Sequence, residues 1–357
     1  MREKTENSVE VFVKAKELLD SGESFAIALV LNAEGSTPRK EGARAIITNT
    51  GKLFGTIGGG AIECETQRLA VESCKSKKSV IFDFELQGLD REGDTPICGG
   101  KMRILIDPIS VQHKNIFSQI AETIKQRNKG IFLTTIKYLQ IEYKWISCDS
   151  INSNIDFPGE EEINLCLEHK QPELFIQNKG AKEVFVEPII PRPLLVIAGG
   201  GHIGQALAIQ ASLVGFDILV LDDRSEFTNR ELFPKDTKTI CDDIAQELSK
   251  IPAQKDTYIV IVTRGHKDDA QALEECINKP FTYIGMIGSK RKVAMIRDSL
   301  IQSGVCSTEQ FEKVFSPIGL NIGALSVPEI ATSITAELIA VRRMGITHKP
   351  WTDKETL

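Results

Sequence analysis

The clearest chemical signature in the chain is a set of three glycines, Gly199, Gly201 and Gly204, directly after the apolar run 194–198. Their G-x-G-x-x-G spacing is typical of a strand-to-helix turn that binds the phosphates of a nucleotide. The first glycine allows a sharp reversal, the second leaves room for a ligand beside the backbone, and the third lets the helix pack closely on the sheet. The helix N-terminus then offers free N–H groups to an anion.

An acid completes this motif. Asp222 lies 23 positions after Gly199, at the end of the apolar run 216–221. A carboxylate at the end of that second strand can accept hydrogen bonds from a ribose or a similar diol. The glycine turn and Asp222 together predict a nucleotide or pterin-type ligand. The alternative is a Rossmann fold kept for packing, with an empty crevice.

Basic residues follow the later apolar runs of the same half. The runs 258–262 and 281–287 predict buried parallel strands, and each leads into a polar loop. Because the loops after parallel strands gather on one rim of a doubly wound sheet, we expect the glycine turn to share that rim with five cationic or ionisable side chains, Arg264, His266, Lys290, Arg291 and Lys292. Local cations suit a phosphate-bearing ligand, although a solvated helix start explains residues 290–292 equally well.

A second glycine-rich turn stands in the N-terminal half, formed by Gly58, Gly59 and Gly60 ahead of a helix predicted over 61–75. It is a second candidate cradle for an anion. The turn lacks the Lys-Ser/Thr ending of a Walker A loop, which argues against ATP hydrolysis.

Two cysteines of this half are candidate reactive thiols. Cys98 precedes Gly99 and Gly100 on a connection into a strand predicted over 102–107, where a backbone can approach a ligand closely. Cys64 lies in the first turn of the predicted helix 61–75, where the helix dipole favours a thiolate, although Glu63 and Glu65 oppose it. For both, an inert packing cysteine is the alternative.

Hydrophobic periodicity predicts an α/β protein of two domains. The N-terminal α/β domain, 1–187, is expected to contain a mixed sheet, with 150–162 as a polar loop. Three prolines within 188–193 disfavour helix and inner strand, so this stretch is the predicted linker. The C-terminal domain, 194–357, is predicted to be a Rossmann-like, doubly wound parallel sheet.

Composition narrows the class of protein. The net charge is −6 and no Lys/Arg block stands out, which argues against nucleic acid as a partner. No apolar stretch reaches the roughly 18–20 residues of a membrane span, and the N-terminus lacks the apolar core of a signal peptide, so we expect a cytoplasmic protein without a membrane partner. The eight cysteines form no C-x-x-C pair and the five histidines no H-x-x-x-H pair, so a structural zinc site is not expected.

Several motifs in one order resemble the xanthine dehydrogenase accessory protein family, the XdhC/CoxI-like molybdenum cofactor maturation factors. The resemblance covers most of the chain and is weakest over 113–187. It is carried by GSTPR at 35–39, GTIGGG at 55–60 with Glu63, CGG at 98–100, GGGHIG at 199–204, TRGH at 263–266, YIGMIGSKR at 283–291, SPIG at 316–319 and PEIA at 328–331.

The family implies a chaperone that binds the molybdenum cofactor (molybdopterin) across both domains, supports its sulfuration and delivers it to an apo molybdenum hydroxylase of the xanthine dehydrogenase type. A cysteine desulfurase-type protein is the implied sulfur donor, and a homodimer is the expected assembly. The chain lacks the iron–sulfur cysteine sets of the hydroxylases, so an accessory factor is expected rather than a catalyst. Cys98 is the implied thiol and metal contact. The implied cofactor contacts are Gly58, Gly59, Gly60, Gly99, Gly100, Gly199, Gly201, His202, Gly204, Asp222, Arg264, His266, Ser289, Lys290 and Arg291.

Two other functions remain open at this point. The first is an NAD(P)-dependent oxidoreductase, in which the glycine turn binds the pyrophosphate and Asp222 the adenosine ribose, favouring NAD over NADP. The second is a scaffold that joins a sulfur donor to its client without holding cofactor. NADH titration separates the first from a cofactor carrier, and client capture that survives changes at Gly201 and Cys98 would favour the second.

Overall fold

The computed structural model describes residues 8–86, 99–148, 157–254 and 256–346. The chain divides into two compact units, Met1–Pro191 and Arg192–Leu357, here called the first and the second unit. None of the described helices has the length and apolar character needed to cross a membrane.

The first unit contains two antiparallel sheets, with strand orders β3-β2-β1-β5-β4 and β7-β6-β9-β8. Its strands are β1 (Phe25–Glu34), β2 (Arg44–Thr48), β3 (Leu53–Gly55), β4 (Val80–Glu85), β5 (Lys101–Ile109), β6 (Gly130–Lys137), β7 (Gln140–Ser147), β8 (Glu173–Gln177) and β9 (Lys182–Ile189). Its helices are α1 (Ser8–Ser21), α2 (Gly60–Ser76), α3 (Lys114–Lys125) and α4 (Glu160–His169).

Strand β1 is apolar without interruption from Phe25 to Leu31 because both of its faces are covered. Alternate residues such as Phe25 and Ile27 join the cluster that contains Phe12 of α1. The intervening residues, Ala26 among them, pack with Ile62 of α2. Because successive side chains of a strand point to opposite faces, a strand covered on both sides loses the polar alternation of a half-exposed one.

A buried ion pair joins the two sheets of the first unit. Nη1 of Arg44 on β2 lies 2.5 Å from Oε2 of Glu187 on β9, and the side chains are only 1% and 4% exposed. The guanidinium also lies over the rings of Phe12 and Phe132, 4.7 and 5.4 Å from their centroids. The two charges therefore compensate each other at a place that water does not reach.

The second unit contains a parallel sheet of strand order β12-β11-β10-β13-β14. Its strands are β10 (Leu194–Ala198), β11 (Asp217–Asp222), β12 (Lys238–Cys241), β13 (Thr257–Ile261) and β14 (Tyr283–Met286). Its helices are α5 (His202–Leu213), α6 (Ile244–Lys250), α7 (His266–Cys276), α8 (Lys290–Gln302), α9 (Thr308–Phe311) and α10 (Val327–Met344). The chain runs outward from β10 to β12 and returns to the other side of β10 at β13.

Helices cover both faces of this sheet. Residues of α5 and α10 share one core cluster, and residues of α6, α7 and α8 share the other. The strand order reverses beside β10, so the loops after β10 and β13 flank the switch point, which is where ligands bind in open α/β sheets. The predicted α/β class and the C-terminal Rossmann-like sheet are confirmed.

Three details differ from the sequence-based expectation. The strand pairs of the described first unit are antiparallel and form two sheets, where a mixed sheet was expected. The stretch predicted as a polar loop, 150–162, ends in the first turn of α4, where three glutamates, Glu160, Glu161 and Glu162, are favoured by the helix dipole; residues 150–156 lie outside the described residues. Strand β9 continues through Pro188 to Ile189, two residues into the expected linker, because β8 pairs only as far as Val186 and leaves that end of β9 as an edge.

Glu187→Ala should destabilise the first unit by about 3–5 kcal/mol, because it leaves the Arg44 guanidinium buried without a counter-charge. The double change Arg44→Met with Glu187→Leu should cost clearly less, since it removes both charges and keeps apolar volume. Urea unfolding of the full chain measures both variants. A single Glu187→Ala change that costs less than about 1 kcal/mol would contradict this account.

Candidate functional site

The glycine turn of the second unit has the geometry that its spacing predicts. Gly199 adopts φ +119, and its N–H donates to the carbonyl of Leu221 at 2.8 Å. A Cβ on Gly204 would lie 2.0 Å from the Gly199 oxygen, so α5 can approach β10 only with glycine there. Gly201 is the N-cap of α5 with an ordinary φ of −66, and a Cβ there would meet nothing within 4 Å.

The space beside Gly201 lies at the start of a helix that has no side-chain cap. The first turn of an α-helix carries N–H groups without intrahelical partners, so this place can accept an anion. His202 follows as the first residue of α5, and it is exposed.

Asp222 ends β11 and is turned towards the protein. It is 1% exposed. Its Oδ2 accepts the N–H of Gly200 at 2.8 Å and Nη2 of Arg224 at 3.0 Å. Its Oδ1 accepts the N–H of Arg224 at 3.1 Å and Nε of the same residue at 2.9 Å. A ribose would have to displace one of these donors. The Asp222 carboxylate therefore serves to hold the glycine turn in place.

The Arg224 guanidinium is held on two sides. It is bonded to Asp222, and it stacks on the ring of Phe227 with 3.9 Å from the guanidinium carbon to the ring centroid. Burial alone would raise the pKa of Asp222, but the hydrogen bonds from Arg224 and from the Gly200 amide outweigh it, so that the pKa lies below its usual value. The carboxylate is therefore ionised at neutral pH.

The loop after β13 brings Arg264 to the same edge of the sheet. Its Nη2 lies 2.8 Å from Oδ2 of Asp223, and its Nε lies 3.6 Å from Oδ2 of Asp268. His266 is the first residue of α7 and is exposed. The positive charge of Arg264 is thus balanced by carboxylates of the protein.

The loop after β14 carries Ser289, which caps α8 by accepting the N–H of Lys292. The Lys292 ammonium forms an ion pair with Asp269, which is fully buried. Lys290 and Arg291, in the first turn of α8, are exposed. The charge of Lys292 is therefore directed to a buried carboxylate, whereas Lys290 and Arg291 lie at the surface.

Asp269 joins two rim loops, and sequence reasoning missed it. Besides Lys292, its carboxylate accepts the Thr263 hydroxyl at 2.5 Å and the Thr263 N–H at 3.2 Å. Burial raises the pKa of Asp269, and the bonds from Lys292 and Thr263 oppose that rise. The available signal was its position on the apolar stripe of α7, three, four and seven residues before Ala272, Leu273 and Cys276.

Glu337 of α10 plays a comparable part. Its Oε1 accepts the hydroxyl of Tyr283 at 2.5 Å and the N–H of Gly319 at 2.9 Å. The carboxylate is 1% exposed. It fixes the loop 316–323 against the sheet and leaves no side chain of its own at the surface.

The glycine turn of the first unit has left-handed backbone at three consecutive positions. Gly58, Gly59 and Gly60 have φ of +147, +85 and +63. Beside Gly59 and Gly60 a Cβ would meet nothing within 4 Å, whereas beside Gly58 it would lie 2.6 Å from Pro38. The turn begins α2, and it is open at its two last glycines.

Three separated motifs of the first unit meet at this place. A Cβ on Gly35 would lie 2.8 Å from the Gly99 oxygen, and one on Gly100 would lie 2.4 Å from the Ser36 oxygen. The loop 35–38 therefore packs on residues 99–100 at one end and on Gly58 at the other. In the adjoining turn the Thr56 hydroxyl donates to Oε1 of Glu63 at 2.6 Å, which ties the turn to the first turn of α2.

The reactive-thiol candidates are only partly placed. Cys98, the predicted thiol and metal contact, lies outside the described residues. Cys64 is exposed on α2. Within the described ranges no group of three or more His, Cys, Asp or Glu side chains could hold a metal ion.

Gly204→Ala should destabilise the second unit by about 1–3 kcal/mol, since its Cβ would overlap the Gly199 oxygen and push α5 off the sheet. Gly201→Ala should stay within about 1 kcal/mol of wild type, because its backbone is ordinary and its surroundings are open. Thermal unfolding compares the two. Equal losses in the two variants would contradict the assignment of Gly204 to helix packing and of Gly201 to open space.

Lys292→Met should cost about 2–3 kcal/mol, because buried Asp269 loses its counter-charge although Lys292 itself is partly exposed. The deficit should shrink as pH falls from 7 towards about 4, since a carboxyl whose folded pKa is raised is stabilised in its protonated form. Arg291→Met on the exposed side of the same turn is the control, with a change within about 0.5 kcal/mol. Urea unfolding at several pH values tests this, and a pH-independent deficit would contradict it.

Comparison with known proteins gives concordant matches in both units. Residues 195–338 match the model of the XdhC Rossmann domain, and residues 18–85 match that of the XdhC and CoxI family. A protein of Bacillus subtilis described as a probable xanthine dehydrogenase subunit is 25% identical over 91% of this chain and 96% of its own length. The uncharacterised protein YqeB of Escherichia coli K12 is 26% identical over 95% of this chain, which spans only 48% of that protein.

A solved structure shares the fold. A crystal structure described as that of a xanthine dehydrogenase from Bacillus halodurans superposes with a TM-score of 0.74 at 24% identity, covering 93% of this chain and 96% of that one. The two family matches lie in the predicted order and contain the motifs that carry the resemblance, except CGG at 98–100. The chain belongs to the XdhC and CoxI family.

Proposed function

We propose that this chain binds the molybdenum cofactor as cargo and serves as a maturation factor for a molybdenum hydroxylase of the xanthine dehydrogenase type. Membership of the XdhC and CoxI family, with a relative described as a probable xanthine dehydrogenase subunit, supports an accessory role. Cofactor binding, sulfuration and insertion are the parts of this role that the proposal adds.

The observation that carries the proposal is the open, uncapped start of α5 at Gly201. The molybdenum cofactor is a pterin that carries a phosphate. A phosphate needs N–H donors and space more than it needs a specific side chain, and a helix N-terminus at a switch point supplies both. The phosphate end of the cargo therefore fits the described residues.

The arrangement also fits release of the ligand. Arg264 and Lys292 are balanced by Asp223, Asp268 and Asp269, so few uncompensated cations hold an anion here. Backbone N–H groups would orient the phosphate, beside the exposed His202, the first residue of α5. A delivery protein needs moderate affinity, because its cargo has to leave for the client enzyme.

The sulfur chemistry is assigned to Cys98. In the family resemblance this residue is the thiol beside the metal, and a thiolate is a suitable ligand for a soft metal or carrier for a transferred sulfur. We propose that Cys98 contacts molybdenum or accepts sulfur from a cysteine desulfurase-type donor. When bound, the cofactor supplies the molybdenum centre, and the protein supplies the thiol and the binding surface.

Retention of molybdenum through gel filtration tests the proposal. Purified protein mixed with molybdenum cofactor should keep molybdenum and pterin, and Gly201→Ala should lower both at least about tenfold, because a methyl group fills the space beside the N–H donors. Cys98→Ala should retain less molybdenum than wild type.

Gly159→Ala is the matched control. Gly159 is the N-cap of α4 with φ −69 and no side-chain cap, which is the backbone geometry of Gly201; a Cβ there would lie 2.7 Å from Oε2 of Glu162, the end of a flexible side chain that can rotate away. Three glutamates occupy the first turn of α4, so an anion is not expected to bind there. This variant should retain cofactor as wild type does. Absence of cofactor from the wild-type protein, or equal loss in the two glycine variants, would overturn the proposal.

A further inference from the structure

The second unit has the glycine turn of a dinucleotide-binding fold, yet the acid of that motif is engaged elsewhere. In such folds the carboxylate at the end of the second strand accepts the hydroxyls of the adenosine ribose. Here that residue is Asp222, and it is directed to the Gly200 amide and to Arg224. We infer that Arg224 is a specificity-determining residue that prevents NADH from binding in this crevice, by occupying the acceptor positions that a ribose diol would use.

All acceptor positions of the Asp222 carboxylate are filled by donors of the protein. An ionised carboxylate offers about four lone-pair positions. On Asp222 two are filled by the backbone N–H groups of Gly200 and Arg224, at 2.8 and 3.1 Å. The other two are filled by Nε and Nη2 of the Arg224 side chain, at 2.9 and 3.0 Å. The two backbone donors are fixed by the main chain, so only the side chain of Arg224 could give way to a diol.

The Arg224 side chain is not placed to swing away freely. Its guanidinium stacks on Phe227, and its Nε also lies 3.6 Å from Oδ1 of Asp223. A two-point bond from Arg to a carboxylate is among the stronger side-chain contacts, and the stacked ring fixes its plane. A diol would have to break this bond and leave a guanidinium without its partner.

The neighbouring residue does not restore the missing acceptor. Asp223 is half-exposed, but its carboxylate is paired with Arg264 at 2.8 Å. A ligand of this crevice must therefore bind through the free N–H groups at Gly201 and not through an acid at the ribose position. That class includes phosphate-bearing ligands that do not depend on an adenosine ribose. This inference is independent of the proposed molybdenum cofactor, since it concerns only what the crevice rejects.

Binding of NADH and of ADP-ribose, which carries the same adenosine diol, tests the inference. The variant Arg224→Met keeps an aliphatic stem against Phe227 and removes the donors from Asp222. Its affinity for NADH, measured by fluorescence titration, and for ADP-ribose, measured by calorimetry, should be at least about tenfold higher than that of wild type. Arg224→Lys, which donates from a single nitrogen and keeps the charge, should fall between the two and carries the test if the methionine variant does not fold.

Two controls separate this effect from a general loss of positive charge. Arg297→Met removes an exposed positive charge of α8 and leaves Asp222 and Asp223 with their partners, so its NADH affinity should equal that of wild type. Adding Asp222→Ala to Arg224→Met should abolish the gain. The inference is overturned if wild type already binds NADH as tightly as Arg224→Met, or if Arg297→Met gains equally. Because molybdenum retention is measured separately, failure of one proposal does not imply failure of the other.

Discussion

The bond between the Asp222 carboxylate and the Gly200 amide constrains the rest of the second unit's site. It ties the end of β11 to the turn after β10, and the bond from the Gly199 N–H to the Leu221 carbonyl ties the same turn to β11 a second time. The glycine turn also sets the direction of α5, whose N-terminus is the open end of the crevice. In a fold where this acid bonded a ligand instead of the Gly200 amide, the acid would not restrain the turn. Here the protein supplies the partner itself, so the turn is already ordered before anything binds.

The same principle governs the other rim loops. Asp269 orders the loop after β13 through Thr263, and Glu337 orders the loop 316–323 through Gly319. Each acid is buried in a helix behind the rim and is paired with donors of the protein. An unpaired charge in such a place costs several kcal/mol, so each acid strongly favours the one loop conformation that satisfies it. The carboxylates of this edge therefore hold the rim loops in place. Because Asp223 and Asp269 also pair with Arg264 and Lys292, part of the positive charge of the edge is compensated within the protein.

How far the sequence could predict this site depends on the physical origin of each feature. The parallel sheet and the roles of Gly199 and Gly204 follow from apolar periodicity and from steric demands of the backbone, which are local and leave a clear pattern. The partner of Asp222 could not be predicted, because Arg224 is two residues away and only the rotamer decides whether it bonds the acid or faces solvent. Lys292 was expected on the rim for its charge, but its partner Asp269 lies on a different helix. Charge pairs between elements are set by tertiary packing, which a single sequence does not display.

The first unit shows the same limit in another form, since its glycine motifs at 35, 58–60 and 99–100 are far apart in sequence and meet only in the fold. The two open turns also require glycine for different reasons. Gly59 and Gly60 have positive φ, so a side chain there is strained by the backbone whether or not a ligand binds. Gly201 has a φ that any residue adopts and no neighbour to clash with, so neither strain nor packing requires glycine. Of the open glycines in the two turns, Gly201 is therefore the one whose missing side chain is best explained by the space that it leaves for a ligand.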